Sequence, residues 1–485
     1  MMRLGLGRVT TTASTAIRHG KQWYQCVSLR AARPTTGLRP QANRASNRHV
    51  QRVVCTAAPV QVGTKNIVEV LRERGLIEQV TSEELEKIST EKKLKVYCGF
   101  DPTADALHLG NLMGILVLVW FQKCGHTPVA LLGGATALVG DPSGKSAERP
   151  ILSEEAIQHN KGGIRAILEK LLSNGEVEVM DNLDWYGDMP LLTFLRDVGK
   201  NARVGVMTAK ESVKKRLDSE SGMSFTEFTY QLLQGYDFCY MYDKFGVNVQ
   251  IGGSDQWGNI TAGTDLIRRI LQKDGAHGLT FPLLLRSDGQ KFGKSEDGAI
   301  WLTADKLSPY KFYQYLFSVP DADVCRLLRS LTFLPIEDIV ALEAEMKTES
   351  YEANTAQRLL ASEVTRFVHG QEGLDQALRA TESMKPGSDT ELSVEALEAI
   401  ADDVPSILLP KAEVVGAMVA AMMVSAGLCK SKSEARKLIK GGGCRLNNEK
   451  VQEELAEVVE GDLVQGKLLL LAAGKKKKAL VRITQ

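Results

Sequence analysis

The stretch from Lys93 to Gly134 constrains the fold of this chain more than any other. Lys95-Val96-Tyr97-Cys98-Gly99-Phe100 reads as a strand that stops at the turn signal Asp101-Pro102. The apolar run from Leu109 to Phe121 is too long for a typical strand and predicts a buried helix. Thr127 to Leu132 is a second buried strand, running into Gly133-Gly134. Strand, helix and strand within about 40 residues make a βαβ unit, which requires a parallel sheet with a right-handed crossover. The fold class is therefore α/β. In such sheets ligands bind beyond the carboxyl ends of the strands, and the polar clusters at 97–111 and 133–149 fall there.

The 485 residues exceed one compact core and favour roughly two to four domains. Ordinary hydrophobic (44%) and charged (25%) content fits a soluble globular protein, but the net charge of +1 hides an asymmetry. No Asp or Glu precedes Glu69, while arginines from Arg3 to Arg52 recur among Ser, Thr and Ala. That pattern predicts an organelle transit peptide over 1–57; the alternative is a basic arm that touches RNA. Val53-Val54-Cys55-Thr56-Ala57-Ala58 resembles a plastid-type processing site, so chloroplast, mitochondrion or both are open destinations. No apolar run approaches the roughly 18 residues of a membrane span, so a soluble mature protein is expected. The eight cysteines are scattered without a C-x-x-C pair or Cys/His cluster, which argues against a disulfide framework and a zinc site.

Further along, Ser153–Leu172 is helical by pattern with Ser153 as N-cap, and Asn248–Ile251 is a strand. A catalytic domain over 58–300 gives way after Trp301 to an all-helical module (301–384). Pro309, Pro320 and Pro335 punctuate it, and Leu360, Val364, Phe367 and Val368 keep helical spacing up to Gly370, a predicted C-terminal cap. A linker is expected over 385–411, then a small basic domain over 412–485. There Ser431 and Glu434 have capping-box spacing, and Lys432, Arg436 and Lys440 are expected to line one exposed stripe of a helix. With the basic tail Lys475–Lys478 and Arg482, this fits phosphate-backbone binding, though a merely solvated face has the same composition.

Two motifs carry the chemistry. His108-Leu109-Gly110-Asn111 stands where a loop meets the N-terminus of the apolar helix, an end suited to phosphate. Lys291-Phe292-Gly293-Lys294-Ser295 offers two ammonium groups and a hydroxyl around a pair read as flexible, able to close over a leaving pyrophosphate. An isolated H-x-G is more often a simple helix cap, and an isolated K-x-x-K a solvated loop. Together they predict activation of a carboxylate by adenylation.

Intervening segments narrow the choice. Tyr97-Cys98-Gly99-Phe100-Asp101-Pro102-Thr103, Gly133-Gly134-Ala135-Thr136, Gly140-Asp141-Pro142-Ser143-Gly144-Lys145, Tyr230–Phe238 and Gly252–Asn259 resemble bacterial-type tyrosyl-tRNA synthetases, in that family's order, from about Ile67 to the C-terminus. The resemblance implies a class I enzyme with a Rossmann-type parallel-sheet catalytic domain and connective insertion, a helical anticodon-recognising domain and a small α+β, S4-like RNA-binding domain. It implies tyrosyl-adenylate formation from L-tyrosine and ATP, with Mg2+ as the counter-ion of ATP and no dedicated metal cage, then transfer to tRNA(Tyr) by a homodimer with Phe225–Phe228 near its interface.

Carried over residue by residue, Tyr97 and Asp237 would bind the phenol, and Asp141, Tyr230 and Gln234 the ammonium group. Cys98, Gly99, Asp101, Gly253, Asp255 and Gln256 would line ribose, adenylate and carboxylate, with Gly110 against the nucleotide. Thr103, His108, Asn111, Lys145, Arg149, Lys291, Lys294 and Ser295 would surround the phosphates. Asn111 stands where class I enzymes often have histidine, and Gly114 removes a possible side-chain contact to the ribose. A synthetase-derived RNA-binding cofactor, as in intron splicing, and a small-metabolite nucleotidyltransferase are the competing readings.

Overall fold

A computed structural model describes residues 65–143, 152–173, 175–220, 222–295, 298–383, 394–398, 404–474 and 477–484. Strands β1 (Gln79–Val80), β2 (Lys95–Phe100), β3 (Thr127–Leu132), β4 (Glu178–Asp181), β5 (Val249–Gly253) and β6 (His277–Phe281) form a six-stranded sheet in the order β1-β6-β5-β2-β3-β4. All pairs are parallel except the antiparallel edge β1–β6. The sequence expected two of the neighbours, and they pair in register from Lys95 opposite Thr127 to Phe100 opposite Leu132.

The order reverses between β2 and β5. From β2 the chain builds outward through β3 and β4, then returns to add β5 and β6 on the other side. Crossovers thus leave on opposite faces at this point, opening a crevice at the carboxyl ends of β2 and β5. Period-two alternation along β2 sends Val96, Cys98 and Phe100 into the core shared with the Leu109–Lys123 helix. Tyr97 goes to the opposite face, among Phe238, Val129 and Leu131.

The Leu109–Lys123 helix is apolar on every side, and all of Leu112 to Phe121 is buried. The Glu154–Leu171 helix starts where predicted, with Ser153 Oγ accepting from Ala156 N. The Phe225–Phe245 helix is capped by Ser224 and ends at Gly246 in the left-handed region. Its N-terminal turn is tied to the Glu211–Leu217 helix by the buried, bidentate pair Arg216–Glu227 (2.8 and 2.9 Å).

In the helical module each predicted proline begins a helix: Pro309–Phe317, Asp321–Leu331 after Pro320, and Ile336–Glu345 after Pro335. Leu360, Val364 and Val368 are buried as the spacing required, with Phe367 partly so. Gly370, in a non-helical conformation (φ 78°, ψ 178°), ends the first helix as predicted, and a second helix begins at once and runs to Ser383. Sequence signals marked the interruption but not the resumption, which Leu374, Ala377 and Ala380 secure by burial.

Strands β7 (Lys294–Ser295) and β8 (Gly298–Ala299) form a small hairpin. β9 (Ser406–Pro410), β10 (Cys444–Leu446), β11 (Glu449–Lys450), β12 (Leu468–Ala473) and β13 (Lys477–Thr484) form a second sheet, ordered β11-β10-β12-β13-β9. One face buries Leu469, Leu471 and Val481 with Met423, Ala435 and Ile439 of the Val419–Ser425 and Lys432–Lys440 helices. The other packs Leu468, Leu470 and Leu480 on Ala380, Val394 and Leu397.

The expected linker is corrected here. Ser406–Pro410 is a strand, paired in parallel with β13 from Ser406 opposite Leu480 to Pro410 opposite Thr484. Prolines at 405 and 410 read as linker punctuation, yet they flank an edge strand, where a missing N–H is tolerated. Among the described residues no helix is long and apolar enough to cross a membrane.

Candidate active site

A cavity of about 480 Å³ opens at the switch point, within the range of small-molecule sites. Tyr97, Cys98, Gly99, Asp101, Thr103, His108, Gly110, Asn111, Asp141, Tyr230, Gln234, Asp237, Gly253, Asp255, Gln256 and Lys291 all line it. Segments more than a hundred residues apart converge because they sit on the ends of adjacent strands and on one face of one helix. Tyr230, Gln234 and Asp237 follow i, i+4, i+7 on the Phe225–Phe245 helix. Lys145 and Arg149 lie outside the described residues, as do the side chains of Lys294 and Ser295.

At the apolar end, the Tyr97 ring lies 5.4 Å from Phe238, and its buried hydroxyl has no hydrogen-bond partner among the described residues. Nearby Asp237 is 2% exposed. Its Oδ1 accepts from Trp185 Nε1 (2.9 Å) and its Oδ2 from Asn182 Nδ2 (3.1 Å). Burial pushes this carboxyl up to about 8 and raises the Tyr97 phenol well above its usual value, with Asp237 adding to the latter. Asn182 also donates to Thr136 Oγ1 (3.0 Å) and accepts from Ala135 N (2.7 Å), bonding the end of β4 to the loop after β3.

Sequence reasoning missed Asn182 and Trp185. They follow β4, an edge strand it did not assign, although polar residues at a parallel strand's carboxyl end are the signal that would have found them.

Polar groups at the mouth form a second network. Asp141 accepts from Ser143 N and from Gln256 Nε2 (both 2.9 Å), and Gln234 Oε1 accepts from Asn259 Nδ2 (2.9 Å). Tyr230 donates its O–H to Asp101 Oδ2, and Thr136 donates to Oδ1 of the same carboxylate (both 2.8 Å). Gly133 is needed for this approach, since a Cβ there would lie 1.9 Å from Asp101 Oδ1. Burial pushes the Cys98 thiol up to about 12, so it stays protonated. A Cβ at Gly114 would lie 3.0 Å from Cys98 Sγ, so this glycine, read as a lost ribose contact, makes room for Cys98.

His108 caps the apolar helix. Its Nδ1 accepts from Gly110 N (3.1 Å), while Asn111 Oδ1 accepts from His108 N (3.1 Å). His108 also lines the cavity, while the N–H groups of Leu109, Gly110 and Asn111 are already bonded, to Ile300 O, His108 Nδ1 and His108 O, so this helix end offers its partial positive charge more than open donors.

The lysine segment differs from expectation. Phe292 is buried against Tyr315 (ring centroids 5.2 Å), its N–H bonds Leu284 O (2.8 Å), and Gly293 takes φ +100°. Phe292-Gly293 is therefore anchored where flexibility was read. Sequence showed only a glycine beside an aromatic, not the core that receives it.

On the C-terminal domain the Lys432–Lys440 helix forms as predicted, with Ser431 Oγ accepting from Glu434 N (3.2 Å). Lys432 and Lys440 are exposed, but Arg436 is half-buried with its Nε buried and unpartnered. The exposed basic face instead includes Lys437. In the tail, burial pushes Lys478 down to about 8, while Lys475 and Lys476 lie outside the described residues.

Known proteins share this architecture. Residues 89–384 match the family "tRNA synthetases class I (W and Y)", and residues 396–481 match the "Tyrosine--tRNA ligase SYY-like C-terminal domain". An Arabidopsis thaliana protein named "Tyrosine--tRNA ligase, chloroplastic/mitochondrial" is 58% identical over 428 residues, 86% of this chain and 84% of the relative. The tyrosine–tRNA ligase of Protochlamydia amoebophila is 53% identical over 424 residues, 87% of this chain and 99% of the relative. Among solved structures, a C-terminally truncated mitochondrial tyrosyl-tRNA synthetase from Aspergillus nidulans superposes with a TM-score of 0.59 at 34% identity, covering 64% of this chain and 92% of its own. Matches spanning whole ligases do not favour the reading of a cofactor that has lost turnover. The chain belongs to the class I tyrosyl-tRNA synthetases, matching them through its catalytic and C-terminal parts alike.

Proposed function

We propose that this tyrosine–tRNA ligase selects L-tyrosine by its phenol at Tyr97 and Asp237, activates it with ATP at the β2/β5 crevice, and passes it to tRNA(Tyr). The observation that carries the reading is the Tyr97 hydroxyl, buried without a partner among the described residues in the cavity that also holds Asp237. A phenol O–H supplies the missing partner. Phenylalanine would leave buried polar groups unpaired, which costs about 1–3 kcal/mol per group. Tyrosyl-tRNA synthetases are the established example of such rejection, at about 10⁵-fold over phenylalanine without editing, a magnitude that belongs to the family and is not read from this cavity.

Asp141 would face the ammonium group, supported by Gln234 and by the oxygen of Tyr230, whose own proton is directed to Asp101. The tyrosine carboxylate then attacks the α-phosphorus of ATP and pyrophosphate leaves. A carboxylate needs no protein base, so the protein's contribution is orientation and charge stabilisation. Cys98, Gly99, Asp101, Gly253, Asp255 and Gln256 would hold the ribose and the adenylate, with Gly110 presenting bare backbone. Thr103, His108, Asn111, Lys145, Arg149, Lys291, Lys294 and Ser295 would meet the phosphates. Magnesium comes with ATP as its counter-ion and is part of the substrate.

Lys432, Lys437 and Lys440 would meet the tRNA backbone, with Arg436 supporting the helix. A homodimer is supported by an apolar surface in which Leu191, Val204 and Phe225 are 69%, 65% and 75% exposed, since contiguous patches of this kind mark association sites. The acid-free leader, outside the described residues, and the Arabidopsis relative's name support import into chloroplast, mitochondrion or both.

Amino-acid-dependent ATP–pyrophosphate exchange with purified protein tests the reading. Tyrosine should drive exchange well above all other amino acids, and exchange equally supported by phenylalanine would refute the assignment of Tyr97 and Asp237.

A further inference from the structure

The lysine segment is gripped from the helical module, not from the catalytic sheet alone. Gly293 N donates to the hydroxyl of Tyr315, on the Pro309–Phe317 helix (2.8 Å). The Tyr315 ring packs on Phe292, and the Arg286 guanidinium, on the approach to the segment, lies near the hydroxyl. One helix further, Asp323 Oδ2 accepts from Ser287 N and Oγ (both 3.2 Å), and Arg326 donates to Leu285 O (2.6 Å).

A backbone chain then continues into the other motif. Ile300 N bonds Gly293 O (3.0 Å), Leu109 N bonds Ile300 O (2.8 Å), and residues 108 and 301 form an antiparallel bridge. The Tyr315 hydroxyl is therefore the side-chain end of a hydrogen-bonded path that crosses the lysine segment and reaches the N-terminus of the His108 helix.

We propose that Tyr315 is a positioning residue for adenylation: its hydroxyl fixes Gly293, and so the backbone that presents Lys291 and Lys294 to ATP. The helical module thereby bears directly on the first chemical step. This rests on the reading that the two lysines act on the phosphates. Ring packing of Tyr315 on Phe292 could anchor the segment without the hydroxyl, and Tyr315→Phe separates the two roles because it keeps the ring.

In the full chain, Tyr315→Phe should lower kcat for ATP–pyrophosphate exchange roughly five- to tenfold, the worth of one hydrogen bond at a reacting site. KM for tyrosine should stay within about twofold, because the phenol end of the cavity is untouched. Arg326→Met, which removes the tether at Leu285, should show the same split. Unchanged kcat in Tyr315→Phe, or parallel loss of kcat and tyrosine affinity, would overturn the proposal. Lys291→Ala run alongside separates the two readings. If Lys291→Ala slows exchange and Tyr315→Phe does not, only the Tyr315 role fails; if Lys291→Ala has no effect, the lysine reading itself fails.

Discussion

Gly293 packs directly on the start of the apolar helix: a Cβ at 293 would sit 3.3 Å from Leu109 Cβ and 3.5 Å from Gly110 N. The two motifs that signalled adenylation thus lie side by side, with little room for a side chain between them and a glycine at φ +100° in the gap. Gly293→Ala would have to hold strained backbone, at about 1–3 kcal/mol, or move the segment. Exchange should slow by at least about tenfold and the melting temperature should fall by a few degrees, because Gly293 is buried between Phe292 and the start of the apolar helix and cannot shift freely. Wild-type exchange kinetics in this variant would contradict the contact's importance.

Tyr97→Phe should separate stability from function. In the free protein it removes a buried hydroxyl that has no partner among the described residues, so urea unfolding should show equal or greater stability. KM for tyrosine should rise roughly three- to tenfold, and the preference over phenylalanine should fall. A clear loss of stability would mean that the hydroxyl is satisfied in the free protein.

Asp237 sets a pH dependence. Its folded-state value, about 8, lies above the ordinary carboxyl range, so the native state binds the proton more tightly than the unfolded chain. Its contribution is fully present below about pH 4 and is lost as pH rises through about 8. Asp237→Asn removes this dependence. The stability difference, variant minus wild type, should therefore grow from pH 5 to pH 8.5, by an amount on the order of a few kcal/mol. A flat difference in urea unfolding over that range would show that the carboxyl is ionised throughout.

The Arg216–Glu227 pair is almost fully buried and braces the turn before Tyr230. Arg216→Met leaves an uncompensated carboxylate and should cost about 3–5 kcal/mol. The double variant Arg216→Met/Glu227→Gln should recover much of that loss, because no buried charge remains. Additive losses in a double-mutant cycle would indicate that the two charges are not coupled.

For the C-terminal domain, Lys432→Ala, Lys437→Ala and Lys440→Ala together should leave pyrophosphate exchange unchanged. They should weaken tRNA charging and reduce the salt dependence of tRNA binding by up to roughly two to three counterions. An unaltered salt slope would assign the face to solvent.

Local pattern carried a good deal of this fold. The lengths and apolarity of 95–100, 109–121 and 127–132 suffice for a βαβ unit, because both elements bury their residues whatever the rest of the chain does. Cap chemistry at Ser153 and Ser431 likewise acts within a few residues. Where the outcome hung on a distant partner, local pattern fell short: it read the helix end at Gly370 but not the second helix that follows at once, β9 exists only because β13 lies beside it, and Arg436 is half-buried against Met418.

Side-chain chemistry and short-range periodicity were enough to define the strand–helix–strand unit and to single out the His108 and Lys291 motifs, while the phenol and ammonium roles proposed for Tyr97, Asp237 and Asp141 come from the family resemblance of the segments between them. All of these could be read along the chain without knowing what lies beside it. Three features could not: that Tyr97 lacks a partner among the described residues, that Asn182 and Trp185 hold Asp237, and that Tyr315 reaches Gly293. Each depends on which strands are neighbours and which helix face turns inward, and those follow from packing the whole chain around its cores.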